Sequence, residues 1–411
     1  MLRVKVPSGA LSSEQARKAC EISDLYADRL LHLTVRNSLE LHGVKREDLA
    51  EAARMLASVG LTSRGACGGA VRGISCATPF GEPYARVQVL ARRLHRIFTG
   101  NPRFEGLPRK FKVGVEAGYE GSRHLIQDVG LVFVGTEGGE PLYDVWAAGG
   151  LGREPMEAQL LETRVQEERI YPLVEAAVRV HAKHSPKGRR LKYLVRDLGI
   201  EGFRSLLREN LLGPDRLEIT DAWPKNVTQA SGTEPARVEA RLFGGQVSTE
   251  AFRRLAELGA CYAGGFLVLT AHQNVAFLLA DPGTAASARK ELADAGFPGT
   301  SVEEQMAFQV CPGSHECRLG LSPTRDVARA VVRAVGPRGK ALTWAISGCP
   351  NSCSQPQLAD VGIVTARSRK AEDGERHPLF DLYRREGPGF GQPVRQGLSV
   401  QELLEAVSAV D

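Results

Sequence analysis

Two short motifs late in the chain, CPGSHEC from Cys311 to Cys317 and GCPNSC ending at Cys353, set four thiols at spacings that suit a soft metal. The first pair is separated by five residues and the second by three, with some thirty residues between the pairs. Structural zinc sites usually take tighter spacing in both pairs, so the wider gap favours an iron–sulfur cluster over zinc. Pro312 and Pro350 each follow the first cysteine of a pair, where a rigid turn can aim a sulfur. Gly313 and Gly348 let the backbone approach closely. His315 reads as solvent-facing or loop-stabilising. Cys20, Cys67, Cys76 and Cys261 are scattered and read as small buried apolar residues.

Such sulfurs need a scaffold, and 411 residues can supply two or three domains. Hydrophobic content of 43% and charged content of 25% are ordinary for a globular protein, and no apolar run is long enough to span a membrane. No basic segment followed by an apolar stretch opens the sequence, so the expected compartment is the cytoplasm, with reduced thiols. A net charge of +5 without a basic stripe or a recognised module argues against nucleic acid and for an anionic small ligand or an acidic partner.

The scaffold is duplicated. At a constant offset of 236 residues Gly9, Glu14, Tyr26, Leu33, Thr34, Leu56, Ala57 and Gly60 fall on Gly245, Glu250, Tyr262, Leu269, Thr270, Leu292, Ala293 and Gly296. Each copy reads as a helix capped by Ser12 or Ser248, a β-rich run (31–41 or 266–279) and a second helix ending at glycine. Between the copies, 113–115 and 131–134 read as strands, 155–184 and 192–211 as helix-rich, and 213–235, rich in turn formers, as a linker.

The cysteine motifs resemble the siroheme-dependent sulfite and nitrite reductase family, whose signature CPGSHECRLG and SGCPNSCSQPQLADVG match nearly throughout. The resemblance implies an α+β fold in which two pseudo-twofold-related ferredoxin-like half modules pack with siroheme- and Fe-S-binding α+β domains. The expected divisions are 1–75, 76–212, a linker at 213–242, 243–300 and 301–411. It also implies a [4Fe-4S] cluster on Cys311, Cys317, Cys349 and Cys353, the last shared with a siroheme iron. LTVRNSLELHG supplies Arg36, GACGGAVRGISC supplies Arg72, and GLPRKFKVGV supplies Arg109, Lys110 and Lys112. Arg36, Arg72, Lys110 and Lys112 would be catalytic; Arg36, Arg72, Arg109, Lys110, Asn351 and Cys353 would bind the cofactor. Guanidinium forks grip carboxylates and oxyanions, lysines supply point charge, and strand alternation sets Lys110 and Lys112 on one face.

The chain departs from the family pattern at Gly69-Ala70-Val71-Arg72-Gly73, which lacks the usual Asp and Asn, and at Asn37-Ser38, where Gln-Asn is usual. It also begins almost directly at the first module, so its donor surface is expected to differ. The implied activity is six-electron reduction of sulfite to sulfide, favoured by Lys112, or of nitrite to ammonia, for which Ser352 and Gln355 speak. Two other readings are a precorrin-3B synthase-like oxygenase, which the CPNSC turn argues against, and a non-catalytic siroheme-binding or electron-transfer protein. No dinucleotide fingerprint is present, so electrons are expected from a ferredoxin or a flavoprotein.

Overall fold

The computed structural model describes residues 1–76, 81–211, 236–297, 305–370 and 376–410. They form two compact units: Met1–Ser63 with Leu151–Pro155 and Arg237–Asp411, and Arg64–Gly150 with Met156–Ala236.

In the first unit the duplication is visible bond by bond. The helices Ser13–Tyr26 and Leu49–Ser58 recur as Thr249–Tyr262 and Ala285–Asp294, at the offset read from the sequence. Ser12 and Ser248 accept the backbone N–H of Gln15 and Ala251, as capping serines should. Gly60 and Gly296, just past the second helices, adopt left-handed backbone.

The two copies also exchange strands. One sheet runs Leu2–Val4, Leu39–Leu41, Leu30–Leu33, Gln246–Ser248, and the other runs Arg237–Ala240, Val275–Leu278, Phe266–Leu269, Ala10–Ser12. Each sheet is therefore completed by a strand from the other copy. The registers are mirror statements of one another: Gln246 pairs with His32, and Ala10 with Val268. Ser13 N donates to Gly265 O at 2.8 Å and Thr249 N to Arg29 O at 3.1 Å, so each copy's carbonyl satisfies an orphan amide of the other's first helix. Gly9 and Gly245 are needed at this seam, since a Cβ would lie 2.7 Å from Leu269 O or 2.6 Å from Leu33 O.

The unit also holds a five-stranded sheet ordered Phe308–Val310, Trp344–Ser347, Val361–Lys370, Arg376–Arg384, Gln392–Leu398; the first three strands are parallel and the rest antiparallel. Trp344, Phe380, Ile346 and Ile363 are buried on it beneath the helices Thr324–Ala334 and Val400–Ser408.

The second unit has a sheet of the same plan: Ser75–Cys76, Val113–Glu116, Val129–Glu137, Glu140–Ala147, Gln159–Gln166. Duplication thus continues well past the stretch in which sequence identity shows it. Helices Gly81–Phe98, Glu167–His184 and Leu191–Asn210 complete the unit. The stretch 155–184, expected to be helix-rich, opens instead with the strand Gln159–Gln166, which buries Leu161 and Val165 while most of its other side chains face outward. The segment 213–235, read as a linker, lies outside the described residues, and Arg237–Ala240 beyond it is a strand. Among the described residues no helix is long and apolar enough to cross a membrane.

Candidate functional site

Parallel pairing explains how cysteines so far apart in sequence come to share one end of a sheet. Val310 pairs with Ile346 in adjacent parallel strands, so both chains leave the sheet at the same edge, one into Cys311 and the other through Gly348 into Cys349. The carboxyl edge of parallel strands is where ligands gather in such sheets.

Three glycines then press the two loops together. A Cβ on Gly320 would lie 2.3 Å from Gly313 C; one on Gly348 would lie 2.9 Å from Gly313 Cα. Gly313 itself has φ +59° and faces Thr324 Oγ1 and Ser322 O. Leu321 N donates to Gly348 O at 2.7 Å, Ser314 N to Ser322 O at 2.8 Å, and Thr324 Oγ1 to Cys311 O at 2.6 Å.

The sulfurs are supplied with donors. Gly348 N donates to Cys311 Sγ at 3.2 Å, and Gly313 N–H also reaches that sulfur. Both the backbone N–H and the side chain of Asn351 hydrogen-bond Cys349. Burial pushes the Cys311 thiol up to about 12 and raises that of Cys349, with nearby cysteines adding to the effect: Cys353 and Cys349 act on Cys311, and Cys353 and Cys317 on Cys349. All four thiols therefore share one neighbourhood. N–H donors aimed at sulfur serve thiolates, and the buried sulfurs of Cys311 and Cys349 would need a cation to neutralise them as thiolates. Cys317 and Cys353 are exposed. Among the described residues no three His, Cys, Asp or Glu side chains could hold a single metal ion. A tetrahedral zinc site would draw its sulfurs to about 3.8 Å from one another, given bonds of ~2.3 Å, whereas a four-iron cluster spreads them more widely. Four thiols in one neighbourhood, with N–H donors on Cys311 and Cys349, are a donor set suited to a four-iron cluster.

His315 bonds Asp326 at 3.1 Å and so stabilises the loop. Cys20 and Cys76 are buried as expected, but Cys67 and Cys261 are exposed. Cys261 falls on the outer face of an amphipathic helix and Cys67 sits in the loop between Gly65 and Gly68, two places a sequence pattern of isolated cysteines does not distinguish from a core.

Arg36 lies in the first unit, in the turn between Leu30–Leu33 and Leu39–Leu41; its amide is held by Thr34 Oγ1 at 3.3 Å and its carbonyl by Ser38 Oγ at 3.3 Å. The second unit brings Arg72, Arg109, Lys110 and Lys112 into one ribbon. Arg72 N donates to Phe111 O at 2.8 Å and Phe111 N to Ala70 O at 3.1 Å. Phe111 is fully buried against the His181 ring, and Lys110 and Lys112 on either side of it are partly exposed. The Arg72 guanidinium donates to Gly68 O at 2.9 Å and Gly65 O at 3.3 Å.

What holds this ribbon was missed in the sequence. Asp128, fully buried, accepts Lys112 N–H at 2.8 Å and Arg190 Nη2 at 2.7 Å on the same oxygen, while His181 Nε2 contacts Arg109 O at 3.1 Å. A signal was available: Asp128-Val129-Gly130 recurs as Asp360-Val361-Gly362, and Asp360 accepts Thr343 N–H at 2.8 Å in the second sheet as Asp128 does in the first.

Residues 1–59 match the family described as the nitrite/sulfite reductase ferredoxin-like half domain, and residues 71–213 match the nitrite and sulphite reductase 4Fe-4S domain. Over these residues the chain matches the sulfite and nitrite reductase family. Members of this family are oxidoreductases that use siroheme and a [4Fe-4S] cluster, and these are the cofactors of this chain.

The chain is 27% identical to the ferredoxin–nitrite reductase of Synechococcus elongatus, across 99% of its own length and 84% of the relative's. It is also 27% identical to sulfite reductase [ferredoxin] 1 of Mycolicibacterium paratuberculosis, across 98% and 77%. Its fold is similar to that of the NirA protein of Mycobacterium tuberculosis, with a TM-score of 0.83 and 25% identity over 99% of this chain and 79% of that one. The reductase half-domain match covers only the first copy of the duplicated module, and the strand exchange identifies 237–294 as the second.

Proposed function

We propose that this reductase converts sulfite to sulfide with electrons from a ferredoxin in the cytoplasm, holding its cluster on Cys311, Cys317, Cys349 and Cys353 and sharing Cys353 with the siroheme iron. Bound together, the cluster and tetrapyrrole would supply the six electrons that sulfite reduction requires. The chain's own residues supply charge, orientation and protons. Arg36 and Arg109 are suited to the tetrapyrrole's carboxylates, Asn351 steadies Cys349, and Arg72, Lys110 and Lys112 neutralise the oxyanion as charge builds on departing oxygen. The lysines also bring transferable protons.

What supports the choice of sulfite is the pair of partly exposed lysines, Lys110 and Lys112, that flank the buried Phe111. Sulfite carries up to two negative charges near neutrality and nitrite one, so a second ammonium favours the more highly charged anion. Both named relatives are ferredoxin enzymes, which supports a ferredoxin donor here, and an excess of five positive charges suits an acidic partner.

The test is Lys112→Asn, assayed with reduced viologen on both anions. The ratio of kcat/KM for sulfite over that for nitrite should fall by about tenfold or more, the scale of one desolvated charge contact. An unchanged ratio removes the reason for preferring sulfite.

A further inference from the structure

Gln273 occupies the turn between Phe266–Leu269 and Val275–Leu278 and is 1% exposed. Its Oε1 accepts Val310 N–H at 2.8 Å, and its Nε2 donates to Leu33 O at 2.8 Å and Val310 O at 3.1 Å. Val310 N–H can only donate, so the amide orientation is fixed: oxygen toward that N–H, nitrogen toward the two carbonyls. One side chain thus joins the second half module to the first, at Leu33, and to both backbone groups of the residue preceding Cys311.

The duplication supplies an internal comparison. At the equivalent position Asn37 also has left-handed backbone, φ +57° against +64° for Gln273, and its Nδ2 donates to Leu269 O at 2.8 Å, the counterpart of the Leu33 bond. An Asn is therefore long enough to make the seam bond between half modules. The additional methylene of Gln273 is what reaches Val310, and the left-handed conformation makes Gln the less favoured of the two residues there. A longer side chain kept in a turn that suits Asn points to a purpose beyond the seam.

We propose that Gln273 is a positioning residue for the Cys311 thiolate. It pins Val310, and thereby sets where Cys311 Sγ meets the Gly348 N–H at 3.2 Å, a bond of the kind that tunes cluster potential and iron retention. The proposal rests on the assignment of Cys311 as a cluster ligand.

The test uses the anaerobically purified holoprotein and Gln273→Asn, which keeps the seam bond, relaxes the backbone and cannot reach Val310. Expected are iron loss to a chelator about tenfold or more faster than wild type, and altered g-values of the reduced cluster by EPR. The thermal midpoint should change little. Asn37→Ala, which cuts the reciprocal seam bond to Leu269 O and does not touch Val310, should lower the midpoint and leave the g-values alone. Should Gln273→Asn fail to accumulate, Gln273→Glu, which retains the acceptor but loses both donors, takes the same measurements. Wild-type g-values and iron-loss rate in the Gln273 variant overturn the proposal, as does an equal change in Asn37→Ala. Wild-type protein without a cluster signal refutes the cluster assignment itself and the proposal with it.

Discussion

Gly313→Ala puts the packing of the cysteine loops to a quantitative test. A Cβ at this position would lie 2.3 Å from Thr324 Oγ1 and 2.6 Å from Ser322 O. Thr324 is fully buried, begins a helix and donates to Cys311 O at 2.6 Å, so it can yield only by releasing the Cys311 carbonyl. Left-handed backbone costs an alanine about 1–2 kcal/mol, and overpacking a close-packed site adds about 1–3 kcal/mol. The sum, about 2–5 kcal/mol, falls on the junction of the two loops. Gly60→Ala provides the reference: its φ is +73° but nothing lies within 4 Å of the added methyl, so it carries the backbone cost alone. Urea midpoints should therefore drop roughly twice as far or more for Gly313→Ala as for Gly60→Ala. Iron per chain after anaerobic purification should fall only in the former. Full iron in Gly313→Ala, with a midpoint no lower than that of Gly60→Ala, would refute the claim that this glycine is what lets the loops meet.

Arg190→Met leaves the Asp128 carboxylate buried without its cation, which should cost about 3–5 kcal/mol by chemical denaturation; a loss below about 1 kcal/mol would contradict the role given to the pair. Stability should also decline in acid. Burial lowers the His32 pKa to about 4, so the unfolded chain takes up a proton near 6.5 that the folded one refuses, and stability is full above that pH and lost as it falls toward 4. His181, also lowered by burial, acts in the same direction. Burial alone would raise Glu40, but His42 and Arg3 hold it below the carboxylate range, so its contribution is lost in turn as pH falls below about 4.5. Each group steepens the slope by up to about 1.4 kcal/mol per pH unit, and thermal midpoints that stay flat from pH 6.5 to 4.5 would count against it.

The half modules were legible because their determinants are local. Serine caps, terminal glycines and helical periodicity are written within a few residues of the element they specify, and each helix of the second copy begins and ends where the 236-residue offset places it. The cysteine motifs are local in the same sense, each lying within seven residues. The strand exchange was not, because nothing in Ala10–Ser12 or Gln246–Ser248 tells which copy's sheet it will join; that choice is made by long-range pairing. The second half of the duplication is hidden in the sequence: corresponding strands differ in length by no more than one residue, yet little of their sequence persists beyond the Asp-Val-Gly triplets. In both sheets those glycines face a carbonyl that a side chain would strike: a Cβ would lie 2.7 Å from His124 O at Gly130 and 2.1 Å from Pro356 O at Gly362.

Where the copies differ shows how a duplicated scaffold acquires two kinds of chemistry. The bonds that build each sheet are backbone bonds, and Asp128 and Asp360 make the same one to residues 112 and 343. At Thr343 the side-chain hydroxyl also bonds Asp360 at 2.7 Å, closing the position on itself. In the other copy the same Asp128 oxygen also accepts Arg190 Nη2 at 2.7 Å, so a cation stands where Thr343 supplies its hydroxyl. The turn residues diverge in the complementary sense: Asn37 completes a seam, while Gln273 completes the seam and also grips the strand that ends in Cys311. In each case a single side chain, one step from a backbone bond both copies need, separates a structural position from one that can serve an anion or a cluster. Changes of that size cost the fold little, so cations can collect on one copy and thiolates on the other while the bonds that define the architecture stay as they were.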